Sequence, residues 1–455
     1  FKSVRNMSFK NFFNEKIILP FSDILLSNSI YNDLKFLMNS QWWSADELKE
    51  YQNEKLRALI KHSYDNVPYY NELFHSLHLT PEDIKTSKDL YKLPILTKDI
   101  LRENIKNGKI IAKNISKKSL LLSSSSGSTG EPLQYYKTRD AESFNKACAI
   151  RGWYWMGYRL GDRYIKLSQN PRPLLKNIQD KFNNCFYISV QQLTDENFRE
   201  IVEKINNFKP LFIRSYPDPM LFLTNYIIKN HIQIITPRAI ATTGNILFDE
   251  YREKIENVFK CKIFDSYSCE GGANVSECET HNCYHSSMEY AITEIVDNNM
   301  IEVDNGYLGR VITTDLHNYA VPFIRYDTQD YIKKSKEKCN CGRELLAIDK
   351  IEGRDSDILI TPSNKWLIVH NFTGYFEWID SVEQFQVNQN KIDEINILLK
   401  VNQKYTKQIE SEILKYWQNY VGEDVNVRIE IVDDIPLTKS GKRRFLIRNK
   451  SIKLD

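Results

Sequence analysis

The pattern between residues 196 and 268 constrains the fold more than any other feature of the chain. Phe198, Ile201, Val202 and Ile205 recur at helical spacing, and the short β-rich runs "LFIRSY" and "RAIATTG" follow. A second helical stripe, Tyr251, Ile255 and Val258, precedes a third β-rich run, "CKIFDSY". Strands that alternate with helices predict an α/β architecture with mainly parallel sheets. Upstream, Leu48, Tyr51, Leu56, Leu59 and Ile60 mark a helix over residues 46–75 that ends in an extended "NVPYY". Residues 288–332 change character to short strand-like runs separated by "DNG" and "HN" turns, which predicts a more antiparallel subregion. After Gly353, "INILLKV" and "VNVRIEIV" flank a helix carrying Ile409, Ile413, Trp417 and Val421, stopped by Gly422. The expected division is therefore a large domain over residues 1–353, helical over about 1–95, and a small α/β domain over 354–455.

With 455 residues, 42% of them apolar and 27% charged, the chain has material for more than one buried core. Sixty-two basic residues face fifty-nine acidic ones, interspersed to a net +3, which argues against a nucleic-acid partner. No run approaches the roughly 18 apolar residues of a transmembrane segment. The N-terminus lacks the apolar core of a signal peptide, so a cytoplasmic location is expected. The eight cysteines are then expected to be free or metal-bound rather than paired as disulfides.

"SSSSGSTGEP", Ser123 to Pro132, is the densest stretch of hydroxyls and glycine in the chain. Glycine permits close backbone approach to an anion, while amide and hydroxyl donors can converge on phosphate oxygens. No lysine follows Gly130, so this is not a Walker A motif. Taken alone, the stretch reads equally as a surface turn.

Downstream, "DSYSCEGG", "HNYAVPFIRYDTQD", "EGRDSD" and "IPLTKSGKRR" occur in that order. Together they resemble the motif series of the adenylate-forming superfamily of acyl-CoA synthetases and adenylation domains. Three further stretches, "WWSADELKEYQNEKLRALIKHSYDNVPYY", "KPLFIRSYPDPM" and "VDDIPLTKSGKRRFLI", narrow the resemblance to the phenylacetate-CoA ligase-like family, in particular its branch linked to capsular polysaccharide biosynthesis. The resemblance implies a large multi-subdomain adenylate-forming domain followed by a small mobile one. It implies ATP- and Mg²⁺-dependent activation of a carboxylic acid to an acyl-adenylate, with release of pyrophosphate. Acyl transfer to the CoA thiol would follow. An amine or hydroxyl of a sugar is the rival acceptor, giving an amide or ester. A non-catalytic nucleotide-binding homologue is the reading from another class, motivated by Asn245, Ser268 and Ser356 where relatives usually carry other residues. A homodimer is a further expectation of the resemblance.

The same resemblance assigns roles to residues. Ser124, Ser125, Ser126, Gly127, Ser128, Thr129 and Gly130 would cradle the β- and γ-phosphates, with Gly244 also at the nucleotide. Tyr267 would stack on adenine, and Glu270 would hold Mg²⁺ through hard oxygen ligands. Asp330, rather than Asp327, would accept hydrogen bonds from the ribose hydroxyls. Arg354 would meet a phosphate with its planar fork. Lys442 would offset the repulsion between carboxylate and α-phosphate as the first attacks the second. The small domain would deliver this lysine and turn about residues near 354–357.

Two short groups of soft ligands remain. Cys278, His281, Cys283 and His285 form one, and Cys339 with Cys341 the other, a pattern that suits a structural zinc site. In the resembled family the ligands map to Cys278, His285, Cys339 and Cys341, with His281 and Cys283 as competitors. The aromatic cluster Trp153, Tyr154 and Trp155, with Tyr216 and Met220, reads as ordinary core.

Overall fold

The structure, a computed structural model, describes residues 8–124, 133–168, 180, 183–190, 195–269, 271–354, 358–363, 366–376, 379–436, 444–449 and 451–452. It opens with helices: α1 (Phe9–Phe13), a π-helical turn (Asn14–Ile18), α2 (Leu19–Leu26), α3 (Ile30–Ser40), α4 (Ala45–Asn66), α5 (Pro68–Ser76) and α6 (Lys98–Lys106). A capping box starts α4, because the Ser44 hydroxyl accepts from Glu47 N–H at 3.3 Å and the Glu47 carboxylate accepts from Ser44 N–H at 2.8 Å. The sequence expectation of an extended "NVPYY" needs correction. Only Val67 is extended, and Pro68 begins α5, where the fixed φ of proline suits a first helical position and its missing N–H costs nothing.

Next come the hairpin strands β1 (Leu121–Ser124) and β2 (Gln134–Lys137), helix α7 (Arg139–Trp155), and strands β3 (Tyr164–Ser168) and β4 (Cys185–Ser189). The expected alternation then appears as α8 (Asp195–Phe208), β5 (Phe212–Ser215), α9 (Pro217–Lys229), β6 (Ala239–Thr243), α10 (Asp249–Phe259) and β7 (Lys262–Ser268). Strands β3 to β7 are parallel, in the order β4-β3-β5-β6-β7. Burial on both faces explains the unbroken apolar run at the start of β6, where Ala239 to Thr242 are all buried.

The sheet continues with β8 (Asn274–Glu277), β9 (Tyr284–Ser286), β10 (Ala291–Val296), β11 (Leu308–Asp315), β12 (Tyr326–Lys334) and β13 (Ala347–Arg354). Eleven strands result, in the order β10-β11-β12-β13-β9-β8-β7-β6-β5-β3-β4. The pairs β7–β8, β8–β9, β9–β13 and β10–β11 are antiparallel, so one sheet carries a parallel and an antiparallel half. A fully buried ion pair anchors α7: Arg151 Nη1 donates to Glu289 Oε1 at 2.7 Å, and Ser40 Oγ donates to the same oxygen at 2.6 Å. Tyr154, Trp155 and Met220 are buried core residues, as expected.

Two compact units emerge. Phe1–Thr328 with Ile332–Ile351 form one, and Gln329–Tyr331 with Glu352–Asp455 form the other. The second unit holds β14 (Ile358–Ile360) paired with β15 (Trp366–Ile368), and α11 (Val369–Phe376). It also holds a four-stranded sheet ordered β18-β17-β16-β19. Its strands are β16 (Val382–Lys391), β17 (Glu394–Val401), β18 (Asn426–Ile431) and β19 (Leu446–Arg448). "INILLKV" lies in β17, and "VNVRIEIV" runs through β18. They pair in parallel across helix α12 (Lys407–Val421), which Thr406 caps and Gly422 ends at φ +109°. Buried Trp417 on α12 stacks on Phe372, with ring centroids 4.1 Å apart.

Candidate active site

Three neighbouring parallel strands end together, and their ends assemble the candidate site. Ser215 of β5 pairs with Thr242 of β6, and Thr243 of β6 pairs with Ser266 of β7. The residues just beyond, Tyr216, Gly244 and Tyr267, therefore emerge at neighbouring levels of the carboxyl edge, where open α/β sheets bind ligands. Gly244 has φ +86°, and a Cβ there would fall 2.6 Å from Cε1 of Tyr216. Only glycine lets the Tyr216 ring lie directly on this backbone. Beside it, Asn245 Nδ2 donates to the Asp218 carboxylate at the start of α9.

The strand end of β7 leads into "CEGG". Glu270 lies outside the described residues, but both glycines after it are placed. A Cβ on Gly271 would meet Thr313 Oγ1 at 2.2 Å, and one on Gly272 would meet Cβ of Asp315 at 2.9 Å. The Gly-Gly pair thus packs this turn against β11. There, Thr313 Oγ1 and Asp315 Oδ2 are buried with no hydrogen-bond partner among the described residues.

Ser124, the last residue of β1, stands opposite Gln134 at the loop end of the hairpin. Ser125, Ser126, Gly127, Ser128, Thr129 and Gly130 lie outside the described residues, as do Ser356 and Lys442. Asp330 is buried on β12 directly after Gln329, whose φ of +62° breaks the in-out alternation of the strand. Asp327, the alternative carboxylate, is clamped by Arg310, with Nε donating to Oδ1 at 2.8 Å and Nη2 to Oδ2. Arg354 ends β13.

Beneath the strand ends runs a polar network that sequence reasoning missed. Thr242 Oγ1 donates to Asp265 Oδ1 at 2.6 Å, and Tyr284 OH to Oδ2 at 3.3 Å. Glu277 accepts from Arg252 Nη2 at 2.8 Å and from Asp265 N–H at 3.0 Å. Burial raises the Asp265 pKa to about 7, and the neighbouring Glu277 charge adds to the rise. At Glu277 burial is outweighed by the hydrogen bond with His281 and the Arg252 charge, which hold the pKa below the usual carboxylate range. The only sequence signal was the "D" of "DSYSCEGG", two residues before Tyr267.

The Cys/His groups meet on the antiparallel half. Cys278 and His285 come from the β8–β9 hairpin, while Cys339 and Cys341 come from the β12–β13 turn. Their ligand atoms all lie within 4.8 Å of one another. Cys278 Sγ is 3.5 Å from Cys339 Sγ, and His285 Nε2 is 3.1 Å from Cys341 Sγ. Thr280 Oγ1 reaches Cys278 Sγ at 3.1 Å and Cys339 Sγ at 3.2 Å. His281 is engaged elsewhere, with Nδ1 3.0 Å from Glu277 Oε1 and its ring against Phe264. Cys283 is buried 3.7 Å from His285 Nε2, outside the group of four. Arg343 pins the turn, donating to Glu279 at 2.9 Å and to Gln41 Oε1 at 3.2 Å.

Comparison with known proteins fits this arrangement. The profile of the CapK C-terminal domain family matches residues 359–449. Protein CapK of Staphylococcus aureus is 26% identical over 419 residues, covering 89% of this chain and 90% of that protein. A phenylacetate-coenzyme A ligase of Pseudomonas putida is 29% identical over 329 residues, 70% of this chain and 73% of that one. Over most of its length the chain is thus similar to phenylacetate-CoA ligases and to CapK, and its C-terminal part matches the CapK C-terminal domain family. It is an AMP-forming ligase. The fold agrees: a crystal structure of 2-hydroxyisobutyryl-CoA ligase in its postadenylation state superposes with a TM-score of 0.73. That match is at 15% identity and covers 91% of this chain and 92% of that one.

For this ligase the donor chemistry of the two halves differs. Three sulfurs and one imidazole nitrogen, with Cys278 and His285 buried and Cys339 and Cys341 partly so, are the set that closed tetrahedral zinc sites use. The Thr280 hydroxyl lies within hydrogen-bond distance of two of those sulfurs, where an outer partner of such a site would stand. No comparable soft-ligand group occurs among the described residues elsewhere.

Proposed function

We propose that the ligase activates a carboxylic acid with ATP at the carboxyl edge of β5, β6 and β7 and passes the acyl group to the CoA thiol. The observation that carries this reading is the convergence there of Tyr216, Gly244 and Tyr267, held in register by three parallel strands. In this proposal residues 1–353 bind ATP and the acid, and residues 354–455 carry the catalytic lysine. The Tyr267 ring face stacks on adenine, and Gly244 brings backbone close to the nucleotide. Asp330 accepts from the two ribose hydroxyls, and Arg354 meets a phosphate. Ser124 to Gly130 supply hydroxyl and amide donors to the β- and γ-phosphates. Glu270 is the carboxylate that would hold Mg²⁺, which, when bound, neutralises charge on the departing pyrophosphate. Lys442 is the cation that steadies the meeting of carboxylate and α-phosphate, so that the new P–O bond forms as pyrophosphate leaves.

Cys278, His285, Cys339 and Cys341 would hold a structural zinc, tying the β8–β9 hairpin to the β12–β13 turn. Support comes from their shared 4.8 Å cluster and from the engagement of His281 by Glu277.

Acid-dependent ATP–pyrophosphate exchange, screened over aromatic, aliphatic, hydroxy and amino acids, tests the first half-reaction. Mass analysis of products with CoA and with amino sugars tests the second. The expected result is exchange with a narrow group of acids and formation of an acyl-CoA. Nucleotide binding with no exchange across the panel would overturn the activation step, and an amide or ester formed without acyl-CoA would overturn the choice of acceptor.

A further inference from the structure

The first helical stretch, Phe9 to Leu26, is built inside out. Residues two apart on a helix lie about 200° apart, on nearly opposite faces. Here the polar residues point inward. Asn11 Nδ2 donates to Leu160 O and to Asp162 Oδ1, both at 3.1 Å. Glu15 accepts from Tyr154 OH at 2.7 Å, and Asp23 accepts from Tyr31 N–H at 2.7 Å. The apolar residues point outward: Phe9, Phe21, Ile24 and Leu25 are 83%, 68%, 81% and 73% exposed, and Phe12, Phe13, Ile17 and Leu26 are also open. At about 200 Å² for a large side chain, this ridge exposes on the order of 900 Å². The largest apolar patch on a typical soluble monomer is roughly 300–600 Å².

Charge decides what covers it. Both acids of the stretch are turned into the protein, whereas Lys10 is exposed and Lys16 is half-exposed, pairing with Glu15 at 2.9 Å. Residues 1–7 add Lys2 and Arg5 and no acid. A second copy packed on this ridge about a two-fold axis would bring basic side chains together, which is unfavourable. An anionic bilayer surface matches both features, accepting aromatic and aliphatic side chains at the depth of the headgroups and basic groups among the phosphates. No described helix is long and apolar enough to cross a membrane, so such a ridge would lie in the interface plane.

We propose that the Phe9–Leu26 ridge docks the ligase on anionic membrane surfaces. This goes beyond the catalytic reading and does not depend on it.

The test is sedimentation of the full chain with phosphatidylcholine vesicles, with and without phosphatidylglycerol, alongside its mass by light scattering. Binding to the anionic vesicles is expected, weakened by salt and by about fivefold for Lys10→Glu. The triple variant Phe9→Ser, Phe21→Ser, Ile24→Ser changes only exposed side chains and is expected to lose binding at least roughly tenfold with an unchanged melting temperature. Failure to bind anionic vesicles, or binding untouched by the triple variant, overturns the proposal. So does a dimer that the triple variant splits into monomers, which would make a second copy the occupant.

Discussion

The parallel and antiparallel halves of the large sheet organise chemistry in opposite ways. In the parallel half, position is set by backbone: strand register brings Tyr216, Gly244 and Tyr267 to one edge, and a left-handed glycine lets a ring lie on the chain. In the antiparallel half, position is set by side chains, as Cys278, His285, Cys339 and Cys341 converge from two turns. The first arrangement suits a cleft that must admit and release a nucleotide. The second suits a clamp that holds strands in place. Damage to the two halves should therefore separate activity from stability.

The largest effect falls on activity. Lys442→Ala is expected to reduce ATP–pyrophosphate exchange by roughly 10³-fold or more, the scale of losing a positioned charge in a transition state. The melting temperature should stay unchanged. A comparable melting loss would mean that the lysine is structural.

Metal removal should do the reverse. Protein purified without chelator is expected to contain zinc by elemental analysis, and Cys341→Ser to lose it. The variant should be destabilised by several kcal/mol, with melting lowered by roughly 2–4 °C per kcal/mol, as calorimetry would show. Full stability in a metal-free wild type would remove the clamp.

Acid should also act through the antiparallel half. His317 follows β11, stacks on Phe144 with centroids 3.8 Å apart, and contacts Glu289 O through Nε2 at 2.9 Å. Burial lowers its pKa to about 4. A base with a lowered folded pKa stabilises fully above its unfolded pKa of about 6.5. That stability drains as pH falls towards 4, by about 2 kcal/mol near pH 4.5. His317→Gln should flatten this slope in urea titrations between pH 7 and 4.5, and an unaltered slope would remove His317 as its source.

The mildest expected effect returns to the parallel edge. Gly244→Ala places a methyl against Tyr216 at a φ that disfavours it, and should cost about tenfold in kcat/KM for ATP, or about 1.4 kcal/mol. Unchanged kinetics would show that the contact between the Tyr216 ring and this backbone does not matter.

How much of this was legible depended on whether the physics was local. The parallel strands could be read because burial on both faces writes short apolar runs between helical stripes, as in "RAIATTG". The Cys/His cluster could be read because its residue types have few other uses in short groups. "NVPYY" was misread because proline ends extended runs and begins helices equally well. The Asp265–Glu277–Arg252 network was invisible, since its members come from α10, β7 and β8 and meet only once the sheet forms. The outward ridge was hidden for a related reason. An amphipathic pattern shows that two faces differ, not which one turns inward.

A crystal structure with AMP and the identified acid tests the central claim most directly. The account expects the adenine against Tyr267 and Gly244 at the carboxyl ends of β6 and β7, with the ribose hydroxyls on Asp330. Nucleotide density anywhere else, with that edge closed to it, would contradict the account.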